Sequence, residues 1–182
     1  MEIKKCDIND IKLLKPNIFY DSRGYFYESF NKEYAPIFTS NVDFVQDNES
    51  KSSFGTLRGL HYQIPPYDQA KLVRVITGKV LDVAVDIRKN SPTFGKHASF
   101  ILDDVDKHQL FIPRGFAHGF IVLSDEAIFS YKVDNFYNKN SERSIRWDDL
   151  ELNIDWQLPK SEIVMSEKDR NAHSFSDAYL FD

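Results

Sequence analysis

The sequence predicts an all-β protein in which antiparallel sheets form a sandwich or barrel. Two observations lead there, and a third sets the domain count. Apolar residues recur mostly with period two, in short runs rich in valine, isoleucine and phenylalanine. Turn residues separate those runs too closely for the crossover helices that a parallel sheet requires. Glycine and proline, seven of each, are scattered along 182 residues and offer no place to divide the chain, so residues 1–182 read as one domain.

Helical signals are sparse. Residues 7–14 fit a single turn and residues 31–38 about two turns. Strands are expected at 71–77, 80–88, 99–102, 109–112, 118–123 and 127–135. The first places Lys71, Val73 and Val75 on one face, because side chains at i, i+2 and i+4 point the same way. After Thr77-Gly78-Lys79, the second alternates Leu81, Val83, Val85 and Ile87 with Asp82, Ala84 and Asp86, and the acidic set reads as its solvated face. The third follows Asn90-Ser91-Pro92 and ends at Asp103-Asp104. The fourth ends at Pro113-Arg114-Gly115. The fifth places His118 with Phe120 and Val122. Beyond Ser124-Asp125-Glu126, the sixth places Tyr131 with Ala127, Phe129 and Val133.

A lysine, a histidine and a tyrosine on otherwise apolar faces are costly unless a partner or ligand satisfies them. Each also has a plain explanation. Lys71 can snorkel from a strand end, Tyr131 can tie its hydroxyl to a backbone carbonyl, and His118 can be a satisfied core histidine. His97, His108 and His173 lie in polar stretches and are expected at the surface.

Leu57-Arg58-Gly59-Leu60-His61-Tyr62-Gln63 is the most suggestive segment for chemistry. Histidine titrates closest to neutrality, so an imidazole near fixed cations such as Arg58 and Lys71 is equipped to take a proton from carbon. Parity raises an objection, since Arg58 and His61 face opposite ways on a regular strand. Gly59 between them can mark a bulge that re-aims one of them.

Composition narrows the function classes. A net charge of −5 argues against a general nucleic-acid binder, while leaving room for a pocket of local cations that holds a small anion. The single cysteine, Cys6, offers neither a disulfide framework nor a thiol cluster. Charges among the first twenty residues fit neither a signal peptide nor a membrane span, so a cytoplasmic location is expected. Phosphate-binding glycine loops and a nucleophile with its base are lacking, and Pro113–His118 lacks the ligand cluster a metal needs.

Several segments, in order, carry a resemblance. They are Phe19-Tyr20-Asp21-Ser22-Arg23-Gly24-Tyr25-Phe26-Tyr27-Glu28, Gln46-Asp47-Asn48, 57–63, Gln69-Ala70-Lys71-Leu72-Val73-Arg74-Val75, 82–88, Ser91-Pro92-Thr93-Phe94-Gly95-Lys96, 112–120 and Ser166-Glu167-Lys168-Asp169. Together they resemble the dTDP-4-dehydrorhamnose 3,5-epimerase family of the cupin superfamily. The resemblance implies a cupin jelly-roll barrel with short peripheral helices, a homodimer, and catalysis without metal or organic cofactor. Cupin metal sites begin His-x-His, whereas this chain has His61-Tyr62-Gln63.

The implied substrate is a dTDP-linked 4-keto-6-deoxyhexose, inverted at C3 and C5 through an enolate. By resemblance, His61 is the base, Asp169 its partner, Lys71 the cation near the sugar ketone and Tyr131 the acid on the opposite face. Without the resemblance, Asp169 reads as a solvated charge. Substrate contacts are implied for Arg23, Glu28, Gln46, Asp47, Asn48, Arg58, Lys71, His118, Glu142 and Lys168, some of them from a partner subunit. The chain departs from the family at Glu49, where histidine is usual, which bears on nucleotide preference. Two other readings fit the same residues: an epimerase acting at one carbon or on another nucleotide sugar, and a noncatalytic sugar-nucleotide-binding cupin.

Overall fold

Alternating side chains become strands because successive residues point to opposite faces, and each face then needs its own environment. The computed structural model describes residues 2–4, 6–34, 38 and 42–182. In chain order the strands are β1 (Glu2–Lys4), β2 (Lys12–Lys15), β3 (Phe19–Asp21), β4 (Gly24–Phe26), β5 (Gln46–Ser53), β6 (Leu57–Gln63), β7 (Lys71–Thr77), β8 (Lys79–Asp86), β9 (His97–Asp103), β10 (Gln109–Ile112), β11 (Phe116–Val122), β12 (Glu126–Val133) and β13 (Glu142–Ser144). One sheet has the order β1-β2-β10-β7-β12-β5, a second β13-β6-β11-β8-β9, and β3 and β4 form a separate hairpin. Every strand pair is antiparallel.

Three apolar clusters hold these layers. Val73, Val75, Phe129, Val80, Ala84 and Phe120 meet between the two sheets. Leu81, Val83, Val85 and Ile121 pack on the other face of the second sheet against Trp156 and Phe175 of the C-terminal segment. Leu72 and Phe111 on the other face of the first sheet are covered by Phe38, with Phe30 and Phe44 against them. Burial of apolar area at about 25 cal/mol per Å² drives this arrangement.

β8 is therefore covered on both faces, and this overturns the expectation that Asp82 and Asp86 are solvated. Both are fully buried. Asp82 faces His118, and Asp86 is held by Arg88, Ser91 and Thr93. Charges in such positions survive only when paired and hydrogen-bonded, as both are.

Other expectations need smaller corrections. Strands 71–77 and 109–112 have the expected bounds, and the other four are shifted by a residue or two at their ends. Within 7–14 the chain makes one turn, closed by Ile11 N–H to the Ile8 carbonyl, and then becomes a strand at Lys12 because β10 offers it a partner. Of 31–38, Lys32–Tyr34 is a single 3-10 turn, and residues 35–37 lie outside the described residues. His97 is half-buried, and His108 has its side chain only 12% exposed, with Nε2 buried and unpartnered; His173 is exposed as expected.

Candidate active site

The bulge at Gly59 decides which way the central residues point. In the pairing of β6 with β11, His61 lies opposite His118 and Arg58 opposite Phe120. Three residues on β6 thus span two on β11, so one residue is extra, which is the definition of a bulge. His118 and Phe120 share a face, and the bulge brings Arg58 and His61 onto that face together. Gly59 is required there. Its φ is +131°, and a Cβ would lie 2.4 Å from the Gly119 Cα and 2.8 Å from the His118 carbonyl oxygen.

That face lines a cavity of about 350 Å³ between the sheets, whose walls include Arg58, His61 and His118 from the second sheet. Lys71, Phe129, Tyr131 and Asn48 enter from the first sheet, and Glu142 from β13. His61 and Tyr131 therefore approach the same space from opposite sheets. An adjoining cavity of about 410 Å³ shares Arg58 and His61 and is lined also by Lys168 and Asp169.

Asp169 reaches His61 from 108 positions away. Val164 bridges in parallel to Thr56, with Leu57 N–H donating to the Val164 carbonyl at 2.8 Å, so the following segment rides along the start of β6. It ends in the short helix Glu167–Arg170, and Asp169 Oδ1 lies 2.5 Å from His61 Nε2. Asp169 is buried rather than solvated, which corrects the reading of it as a surface charge. Burial works to raise its carboxyl, but the His61 contact, the Ser166 hydroxyl and the Lys168 charge hold it below the ordinary carboxylate range. An ionised Asp169 draws the ring proton to Nε2, leaving the lone pair of neutral His61 at Nδ1.

Burial and neighbouring charges also shift the other polar groups of the cavity. Burial pushes the Lys71 ammonium down to about 8, against the pull of Asp82 and Glu142; its Nζ donates to the His61 carbonyl at 3.3 Å. Burial raises the Tyr131 phenol, which keeps its proton at neutral pH. His118 is pushed down by burial despite Asp82, whose carboxylate lies 2.9 Å from Nε2. Burial opposes ionisation of Glu142, but Lys168 at 2.5 Å and the Tyr137 hydroxyl at 3.1 Å keep it below the usual range.

Of the residues singled out from the sequence, the structure brings His61, Lys71, Tyr131, Asn48, Arg58, His118 and Glu142 to one cavity, with Asp169 and Lys168 beside it. Gln46 touches this group through its amide, which donates to Asn48 at 2.8 Å. Asp47 points the other way along β5, into an ion pair with Lys132 at 2.7 Å. Arg23 sits at the tip of the β3–β4 hairpin against its own Asp21, and Glu28 just beyond it accepts from Asn31. Neither lines the cavity.

Sequence reasoning missed Asp82, Tyr137, Gln69 and Gln63. Parity along β8 pointed Asp82 to solvent, and its approach to His118 follows only from the pairing of β8 with β11; Tyr137 lies in a polar loop and gave no signal. Gln63, where His-x-His would place its second histidine, is engaged with backbone at Tyr67, Phe136 and Asn138. Among the described residues, no group of three or more His, Cys, Asp or Glu side chains converges as a metal site requires.

A family model described as dTDP-4-dehydrorhamnose 3,5-epimerase matches residues 5–177. The chain belongs to the dTDP-4-dehydrorhamnose 3,5-epimerase family. The family member of that name from Shigella flexneri is 53% identical over 182 residues, covering 100% of this chain and 99% of that one. The crystal structure of the epimerase from Elizabethkingia anophelis superposes with a TM-score of 0.93 at 51% identity, covering 97% of each chain. A Legionella pneumophila 3,5-epimerase, crystallised in complex with dTDP-4-keto-L-rhamnose, gives a TM-score of 0.93 at 47% identity, covering 97% of this chain and 93% of that one. The jelly-roll barrel expected from the resemblance is thus the fold of the epimerase family.

Proposed function

We propose that the chain converts dTDP-4-dehydro-6-deoxy-D-glucose to dTDP-4-dehydro-L-rhamnose by inverting C3 and C5. The observation that carries this is a histidine with its carboxylate partner on one wall of a cavity and a proton-holding tyrosine entering from the other. The C4 ketone of such a sugar acidifies the hydrogens on both neighbouring carbons, so its carbonyl serves as the electron sink. His61 takes a proton from carbon, and the electron pair moves to the ketone oxygen as an enolate. Lys71, cationic near pH 7, stabilises that oxygen. Tyr131 returns a proton from the opposite face, and inversion follows from the change of face. Each inversion leaves an imidazolium and a phenolate, which exchange protons with water before the next turn.

Arg58 and Lys168 suit the diphosphate through charge-assisted hydrogen bonds. The half-exposed ring of Tyr137 on the cavity wall offers a face for the nucleobase. Glu49 also borders the cavity, which makes the preference for a dTDP-linked sugar worth measuring against other nucleotides.

The working form in this reading is a homodimer. Phe19, Tyr20, Tyr25 and Phe26 crowd exposed rings onto the β3–β4 hairpin, an apolar patch of the kind a second subunit covers. Arg23 at its tip is then available to a neighbouring cavity rather than its own. A cytoplasmic setting agrees with the unpaired Cys6, and no helix among the described residues is long and apolar enough to cross a membrane.

Incubating the purified protein with the dTDP-linked 4-keto sugar and following the ring protons by NMR tests the reading. Conversion by wild type and its loss in His61→Asn are expected. A His61→Asn protein that turns over as fast as wild type would remove His61 from the chemistry.

A further inference from the structure

Ser166 contacts Asp169 at two points. Its Oγ accepts from the Asp169 amide at 3.1 Å, capping the short helix, and donates to Asp169 Oδ2 at 2.9 Å. The other oxygen of that carboxylate, Oδ1, is the one facing His61. From these contacts we infer that Ser166 is a positioning residue for the epimerisation, locking the Asp169 carboxylate so that Oδ1 meets His61 and a single imidazole tautomer is held. This rests on the assignment of His61 and Asp169 as base and partner.

The terminal torsion of aspartate is broad and nearly two-fold, so a carboxylate does not by itself choose which oxygen it presents. Asp169 is 4% exposed, which leaves little water to satisfy Oδ2 in place of the hydroxyl. A hydroxyl has one proton to give, and here it goes to the carboxylate while its lone pair takes the amide. The same donor helps keep Asp169 ionised. The helix has other anchors: the Val164–Thr56 backbone bridge before it, the Arg170 N–H bond to the Ser166 carbonyl, and the Lys168–Glu142 ion pair. Loss of the hydroxyl therefore removes the lock while leaving the helix in place.

Ser166→Gly tests this, because glycine starts a helix nearly as well as serine and carries no hydroxyl. The expected result is a fall in kcat on the order of tenfold with KM unchanged, by analogy with the loss when a hydrogen-bonded partner that orients a metal-ligating histidine is removed. The His61 ring ¹⁵N signals are expected to move toward a mixture of tautomers, and Ser166→Thr, which keeps the hydroxyl, to restore both readouts. In an Asp169→Asn background, Ser166→Gly is expected to have no further effect. Wild-type kcat with an unchanged ring spectrum in Ser166→Gly would overturn the role, as would a raised KM at constant kcat or an undiminished loss in Asp169→Asn. An inactive His61→Asn beside an unaffected Ser166→Gly sinks the Ser166 role alone. Wild-type turnover by His61→Asn sinks the base assignment, and this role with it.

Discussion

Lys71 occupies a position that costs stability, and the proposed reaction gives it the enolate oxygen to hold. Its folded pKa of about 8 lies below the ordinary 10.5, so between those values the unfolded chain binds the proton better than the folded one. Stability from this group therefore rises as pH climbs from about 8 toward 10.5, and the buried ammonium costs about 3 kcal/mol below that window. Lys71→Met is expected to be more stable than wild type in urea at pH 7, with the advantage gone near pH 10.5; a variant less stable at pH 7 would contradict this. In the proposed reaction the same variant lacks the cation at the enolate oxygen and is expected to lose about 3 kcal/mol of barrier lowering. In wild type, kcat/KM, which reports the free enzyme, is expected to fall as pH rises through about 8. Tyr131 gives a separate test. Tyr131→Phe is expected to leave solvent exchange at the abstraction site while blocking inversion, read by NMR of the recovered sugar; normal inversion would assign the acid role elsewhere.

At the scale of elements, period two made the apolar strands readable and left polar ones hidden. β7 and β10 alternate against an apolar interior and have the expected ends. β5 reads Gln-Asp-Asn-Glu-Ser-Lys-Ser-Ser, and Asn48 and Ser50 on one of its faces border the cavity, where polar side chains are an asset. Nothing in such a run separates strand from loop. β8 failed differently: its alternation implies a wet face, but both of its faces are covered and its acids are paired inside. The bulge in β6 was legible because Gly59 sat between residues whose parity conflicted. Gly59→Ala is expected to destabilise the fold by about 3 kcal/mol or more, through a disfavoured φ and collision with β11, and to abolish turnover by separating Arg58 from His61. Thermal melts and activity at a permissive temperature check both; near-wild-type values would show that β6 tolerates a regular path.

For the whole molecule, sequence pattern alone could not join His61 to Asp169, because pairing across 108 positions is a product of the fold. The exposed hairpin carries the remaining whole-molecule expectation. Phe19→Asp with Phe26→Asp is expected to shift a dimer to monomer in sedimentation and to lower activity. Mixing Arg23→Ala chains with His61→Asn chains is expected to restore part of the activity lost in each, since a mixed pair holds one cavity with His61 and a neighbouring Arg23. Failure of mixing to restore activity, with dimers formed, would place Arg23 outside the partner's site.

Proton transfer at both carbons next to the ketone is tested most directly by turnover in deuterated water. With wild type, deuterium is expected at both C3 and C5 of the dTDP-linked product, and with His61→Asn at neither. Product that forms while retaining hydrogen at both carbons would contradict proton abstraction by His61 as the reaction's course.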